Sequence, residues 1–175
     1  RAAQKDDAAI DEYIEELCLS IRRKSKEGEL GQIETVYIGG GTPTWYGEKR
    51  LCELLRLINK KFKMAKDVEI TMEANPDSVT EKGLRAMRRA GVNRVSLGMQ
   101  SACDRELQDI HRPHTFQQVS AAVAAARKAK IKNLNLDLIF GLPGQTEDSW
   151  HETVEAALAL SPEHLSCYGL TVEEG

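Results

Sequence analysis

Three short runs of the chain alternate apolar and polar residues with a period of two. In Val68-Glu69-Ile70-Thr71-Met72-Glu73 the apolar side chains take one face, and Glu69, Thr71 and Glu73 take the other. Asn133, Asn135 and Asp137 likewise oppose Leu134, Leu136 and Leu138, and Arg94, Ser96 and Gln100 oppose Val95 and Leu97. A period of two is that of a β-strand, so each run reads as a strand with one polar face. Two further runs, Thr35–Ile38 and His164–Leu170, complete a set of five. Amphipathic helical segments separate them, which implies βαβ units, parallel strands and right-handed crossovers. An open doubly wound sheet carries helices on both faces and is apolar on both. A polar face on three strands instead predicts helices outside and a polar lumen inside. The expected fold is therefore α/β, a partial (β/α) TIM-like barrel of about five parallel strands with outer helices.

The helices have recognisable faces and ends. Ile10, Tyr13, Ile14, Leu17 and Ile21 share one face of the first, which fades over the turn at 24–31. Leu51, Leu54, Leu55, Ile58 and Phe62 mark the second. Thr80 caps a third that bears Leu84 and Met87 and ends at Gly91. Thr115 and Gln118 form a capping box for the next, within which Ala121–Ala126 allows close packing on the sheet. A last helix opens at Thr146 with Trp150, Val154 and Leu158 inward.

Composition narrows the partners. The chain has 175 residues, 24 basic and 27 acidic, and a net charge of −3, which gives no electrostatic reason to expect nucleic acid. No apolar stretch approaches the roughly 20 residues of a membrane span, and the polar start is not a signal peptide, so the expected compartment is the cytoplasm. Cys18, Cys52, Cys103 and Cys167 are scattered without a close pair, so local spacing offers neither a zinc nor an iron–sulfur ligand set. They read as small buried hydrophobes.

In a barrel of this kind chemistry gathers where the strands end and the following loops converge. Those ends carry Gly39-Gly40-Gly41-Thr42-Pro43, Glu73-Ala74-Asn75-Pro76, Gly98-Met99-Gln100-Ser101, Asp137 ahead of Phe140-Gly141-Leu142-Pro143-Gly144, and Tyr168-Gly169-Leu170-Thr171. Turn chemistry explains each singly, but Glu73, Gln100 and Asp137 share the polar parity at one end and read together as a site for a polar ligand. The triple glycine has neither the Walker nor the dinucleotide spacing, so phosphate is not the first choice. Exposed carbonyls could meet an amino group, Arg112 a carboxylate, and Glu73, Gln100 and Asp137 ribose hydroxyls. Amino group, carboxylate and ribose together describe S-adenosylmethionine (SAM).

The ordered segments at 37–44 (YIGGGTPT), 73–76 (EANP), 91–101 (GVNRVSLGMQS), 111–115 (HRPHT), 136–146 (LDLIFGLPGQT) and 162–168 (PEHLSCY) resemble the radical SAM family of oxygen-independent coproporphyrinogen III oxidases and their haem-chaperone relatives. The likeness runs from about residue 10 to the end, and the segment after Gln100 is more similar to the haem-chaperone branch. The resemblance implies a partial barrel with a four-iron four-sulfur cluster and SAM at its carboxyl-terminal rim. The reduced cluster would cleave SAM to methionine and a 5′-deoxyadenosyl radical. It places Gly40, Gly41 and Thr42 about the SAM amino group, Glu73, Gln100, Arg112 and Asp137 on its polar parts, and Thr171 beside the adenosyl end. It implies a tetrapyrrole partner, either haem passed to acceptor proteins or coproporphyrinogen III decarboxylated by radical chemistry. Whether the parent protein is an enzyme stays open at this point, and no catalytic residue is assigned.

The family's CxxxCxxC cluster loop has no counterpart here, and none of the four cysteines has the spacing to replace it. Residues 1–175 are therefore expected to be a radical SAM core without its first strand, cluster loop and carboxyl-terminal domain, inactive as it stands. The strand at 35–38 would then be an open sheet edge prone to self-association. His111 and His114 flank Arg112-Pro113 at a spacing that could suit metal or haem, but read as surface loop residues ordering the start of the next helix. His164 reads as structural, and Trp45 and Tyr46 as packing residues at a helix start.

Overall fold

A computed structural model describes residues 6–28 and 30–171. Its elements follow in chain order: α1 (Asp7–Glu27), β1 (Ile33–Ile38), α2 (Glu48–Lys61), β2 (Met64–Ala74), α3 (Glu81–Arg89), β3 (Arg94–Gln100), α4 (Asp104–Asp109), α5 (Phe116–Lys128), β4 (Asn133–Phe140), α6 (Glu147–Ala159) and β5 (His164–Gly169). The five strands pair in parallel in the order β1-β2-β3-β4-β5. Sequential order means that every crossover moves the same way. With a constant hand the helices fall on one face of a curling sheet, as in part of a barrel.

Strand parity sets which face is which. Ile70, Met72, Val95, Leu97, Leu134, Leu136 and Leu138 are buried, and they pack with Leu51 and Leu55 of α2, Leu84 and Met87 of α3 and Val119 of α5. The opposite face carries Glu73, Ser96, Asp137 and Tyr168. Helix ends follow the expected chemistry. Thr80, Thr115 and Thr146 accept from Gly83, Gln118 and Ser149 N–H respectively. Gly91 sits at φ +117 where Val92 N–H reaches Met87 O and Gly91 N–H reaches Arg88 O, the paired bonds of a Schellman motif.

Several expectations need correction. β2 begins at Met64, because the charged pair Lys66-Asp67 interrupts the apolar pattern there and the β1 pairing shifts register between Ile33 and Thr35. Leu158 is 56% exposed. Thr153 and Ala157 take the inner face of α6, while Trp150 reaches the Phe140 ring. Tyr13 is half exposed and lies 5.7 Å from Tyr46 instead of in the core. Trp45 is also partly exposed, at 44%. Only Cys52 is buried. Cys18 and Cys103 are partly open and Cys167 is exposed: Cys103 precedes α4, and Cys167 lies on the edge strand β5 opposite Leu138. The six-residue α4 was not foreseen, since its sequence DRELQD has too few apolar residues to show a period. No helix among the described residues is long and apolar enough to cross a membrane.

Candidate functional site

Where the strands end, Gly41, Glu73, Asn75, Gln100, Arg112, Asp137 and Tyr168 line an open cleft of about 300 Å³, together with Ala74, Ser96, Gly98 and Ile139. Glu73 arrives on the polar parity of β2. Its Oε1 accepts from the Tyr37 hydroxyl at 2.6 Å and its Oε2 from Gly40 N–H at 3.0 Å. The hydrogen bond to Glu73, with partial burial behind it, pushes the Tyr37 phenol up to about 12, so it stays a donor. Gly39 is where this arrangement demands glycine, because a Cβ there would lie 2.6 Å from the Tyr37 ring and 2.9 Å from the Glu73 carboxylate. Gly40 and Gly41 then turn at φ +87 and +59, and Thr42 Oγ1 accepts from Asn75 Nδ2 at 3.0 Å. The triple-glycine loop is thus tied to the end of β2 at two points.

Asp137 is held from below. Ser96 Oγ donates to its Oδ2 at 2.9 Å and Asn135 Nδ2 to its Oδ1 at 2.7 Å. Asn135 Oδ1 in turn accepts from Ser166 Oγ and faces His164 Nδ1 at 2.5 Å. His164 anchors a polar chain that runs up the lumen to Asp137. Arg112 comes from a second Schellman motif: His111 adopts φ +57 while Arg112 N–H reaches Leu107 O and His111 N–H reaches Gln108 O. That turn delivers the guanidinium to the cleft, where it makes no side-chain hydrogen bond or ion pair among the described residues.

Gln100 is backbone-strained. It has φ +65, a conformation that costs a non-glycine residue on the order of 1–3 kcal/mol. Met99 is an extra residue in β3, since Gly98 pairs with Asp137 and Gln100 with Leu138. The Gln100 amide folds back over Gly98, where a Cβ would lie 2.8 Å from Nε2.

Of the expected site residues, Gly41, Glu73, Gln100, Arg112 and Asp137 meet at the cleft. Gly40 and Thr42 lie in the adjoining loop, held by Glu73 and Asn75. Thr171 is exposed beyond β5 and does not line the cleft. Sequence reasoning missed Asn75, Ser96 and Tyr168 as wall residues, although parity put Ser96 on the polar face and Asn75 lies two residues after Glu73; it also missed Tyr37, which holds Glu73 from outside the cleft lining. It also missed Glu106, 5% exposed, which accepts from Ser101 Oγ and Ser149 Oγ at 2.6 Å and from Gln145 Nε2 at 3.1 Å. Burial pushes its carboxyl up, but those three donors outweigh it and hold it below the usual carboxylate value. Glu106 thereby ties the loop after β3 to the loop after β4. His114 is a correction: it is buried, not at the surface, because the chain turns inward after Pro113 to start α5.

The radical SAM superfamily profile matches residues 8–157. The protein named heme chaperone HemW of Mycobacterium tuberculosis strain H37Rv is 36% identical over 173 residues, covering 99% of this chain and 44% of that protein. The Bacillus subtilis strain 168 protein of the same name is 40% identical over 165 residues, 94% of this chain and 44% of that one. The chain thus spans less than half the length of these relatives. Among solved structures, coproporphyrinogen III oxidase HemN of Escherichia coli, described as a radical SAM enzyme, superposes with a TM-score of 0.88 at 27% identity over 96% of this chain and 39% of that one. The archaeal Elp3 of Methanocaldococcus infernus shares the fold at a TM-score of 0.68 and 20% identity, over 91% of this chain and 42% of that one. The matched span, the parallel half-barrel and the cleft at its strand ends agree: this chain belongs to the radical SAM superfamily.

Proposed function

We propose that the cleft is a SAM site and that the protein carrying this chain is a haem chaperone that binds haem and passes it to acceptor proteins. The observation that supports the SAM reading is the donor set itself. Two carboxylates, one uncommitted guanidinium and two amides converge on a single cleft, matching a ligand that is both zwitterion and polyol. When bound, SAM supplies the adenosyl group on which the chemistry of this superfamily draws. In this reading Glu73, already fixed by Tyr37 and Gly40, accepts from the ammonium, and Gly41 and Thr42 border it. Arg112 takes the carboxylate, Asp137 and Gln100 hold the ribose hydroxyls, and Thr171 lies beside the adenosyl end. A four-iron four-sulfur cluster is different. No group of three or more histidine, cysteine or acidic side chains among the described residues could hold a metal, so these residues do not fit a cluster and no step is routed through one.

The chaperone reading rests on the sequence relatives, which carry that name across nearly the whole of this chain. The fold likeness to HemN supports a second reading, radical decarboxylation of coproporphyrinogen III. Cytoplasmic location, and pairing of two copies through the outer edge of β1, belong to the same proposal. Full-length protein given haem, and separately coproporphyrinogen III with SAM and a reductant, decides between the two readings. Stoichiometric haem uptake without decarboxylated product is expected. Product formation would replace the chaperone by the oxidase, and calorimetry showing no SAM uptake would remove the cofactor reading from both.

A further inference from the structure

The Met99 carbonyl lies at the middle of the bulge that ends β3, and it accepts two hydrogen bonds. Ser101 N–H reaches it at 2.8 Å, closing a three-residue turn with Gln100 at its centre at φ +65. This is the left-handed γ-turn, a rare and strained arrangement for a residue other than glycine. The second partner is His114 Nε2 at 3.2 Å, from the segment that opens α5. A carbonyl only accepts, so Nε2 carries the proton. Burial lowers the imidazole's proton affinity and keeps the ring neutral, which leaves Nδ1 bare. Among the described residues Nδ1 has no hydrogen-bond partner, although the residue is only 3% exposed.

A histidine kept for stability alone would be a poor choice here. It buries one unsatisfied nitrogen and makes a single neutral hydrogen bond, whereas an aliphatic side chain would fill the space without that penalty. What the imidazole does is reach 15 residues back along the chain and hold the one carbonyl on which the strained turn closes. Resting on the SAM reading of the cleft, we propose that His114 is a positioning residue: its Nε2–H pins the Met99 carbonyl, fixes the γ-turn and so keeps the Gln100 amide folded over Gly98 into the cleft.

The test uses full-length protein carrying this chain. His114→Leu removes the donor and the unpartnered nitrogen together, while His114→Gln keeps an N–H near the Nε2 position. Crystal structures, melting temperatures and SAM calorimetry are compared with the parent protein. His114→Leu is expected to melt within a few degrees of the parent, with Gln100 relaxed to negative φ and its amide withdrawn, and to bind SAM about tenfold more weakly. His114→Gln is expected to keep Gln100 in place and the affinity within about twofold. Gln100 unmoved in His114→Leu, or moved equally in both variants, overturns the inference. If the parent takes up no SAM, the cofactor reading fails, and the position of Gln100 in the two crystal structures still decides the role of His114. Should His114→Leu not fold, His114→Met fills the same space more pliably and carries the same expectations.

Discussion

Replacing Glu106 separates an acid that braces the fold from the acids that face the cleft. Its carboxylate takes three donors, two hydroxyls at 2.6 Å and one amide at 3.1 Å, while being almost fully buried. Hydrogen bonds to a charged group contribute roughly 1.5–3 kcal/mol each, but not additively. Ser149 and Gln145 are partly exposed and can turn to water once the carboxylate is gone, whereas Ser101 is fully buried and falls back on Thr153 Oγ1 at 3.3 Å. Glu106→Ala should therefore cost about 3 kcal/mol, close to one charged bond lost outright plus a small cavity. In a chain of this length that lowers the melting temperature by roughly 6–12 °C. Glu106→Gln should cost only about 1 kcal/mol, because the Ser149 hydroxyl can turn to the Thr146 carbonyl at 3.1 Å and accept from the new amide. Urea titrations at neutral pH measure both. The folded-state carboxyl lies below its usual 4.5, so its contribution is fully present above that value and fades as the pH falls through the lower folded one. Glu106→Gln should lose that part of the acid dependence. A cost under 1 kcal/mol for Glu106→Ala would refute the bracing role.

Three further outcomes are expected. Asp137→Asn should cost about 1 kcal/mol in stability, because the Ser96 hydroxyl can reverse between donor and acceptor, yet weaken SAM binding in the full-length protein about 10–150-fold by calorimetry; unchanged affinity would leave Asp137 a fold element. The Tyr37 phenol should titrate near 12 in ultraviolet difference spectra. Its bond to Glu73 then stabilises the fold below the usual value of 10 and is lost as pH rises toward 12, and a midpoint near 10 would show that the bond does not persist in solution. Gly39→Ala should push Tyr37 and Glu73 apart, returning that titration toward 10 and weakening SAM binding, and an unchanged midpoint would mean that the side chains give way without parting.

The architecture was legible because two independent periodicities agreed. Leucine and valine at every second residue of β3 and β4 faced helices whose apolar residues recur at helical spacing, and only one-sided packing satisfies both. Glu73 and Asp137 come together for the same reason, since parity and strand order fix both face and end, whereas Gln100 pairs with the core-facing Leu138 and returns to the cleft only through the bulge and its left-handed turn. Parity cannot see what lies between the strands. α4 has six residues and no apolar repeat, so the turn that aims Arg112 was invisible, as was the left-handed His111 on which it depends. Leu158 was misplaced because Val154, Ala157 and Leu158 span neighbouring directions on one helix, and a small residue won the buried position where the sheet comes close.

Glu73 and Glu106 show where reading by residue type stops. Both are acids near the carboxyl ends of strands, each accepts hydrogen bonds from other elements, and nothing in their immediate sequence tells the one facing the open cleft from the one facing the core. The difference is in the remaining acceptor capacity. Tyr37 and Gly40 leave Glu73 with lone pairs that look into an open cleft, whereas Ser101, Gln145 and Ser149 enclose Glu106 on all sides. The same distinction applies to the basic residues of the loop that follows α4. Among the described residues Arg112 keeps its donors free at the cleft, and His114 spends its one N–H on a backbone carbonyl behind it. The proposed binding role of this rim therefore rests on which polar groups the fold leaves unsatisfied toward the cleft. A burial pattern read from sequence gives their face, but only the turns between strands give their remaining valence.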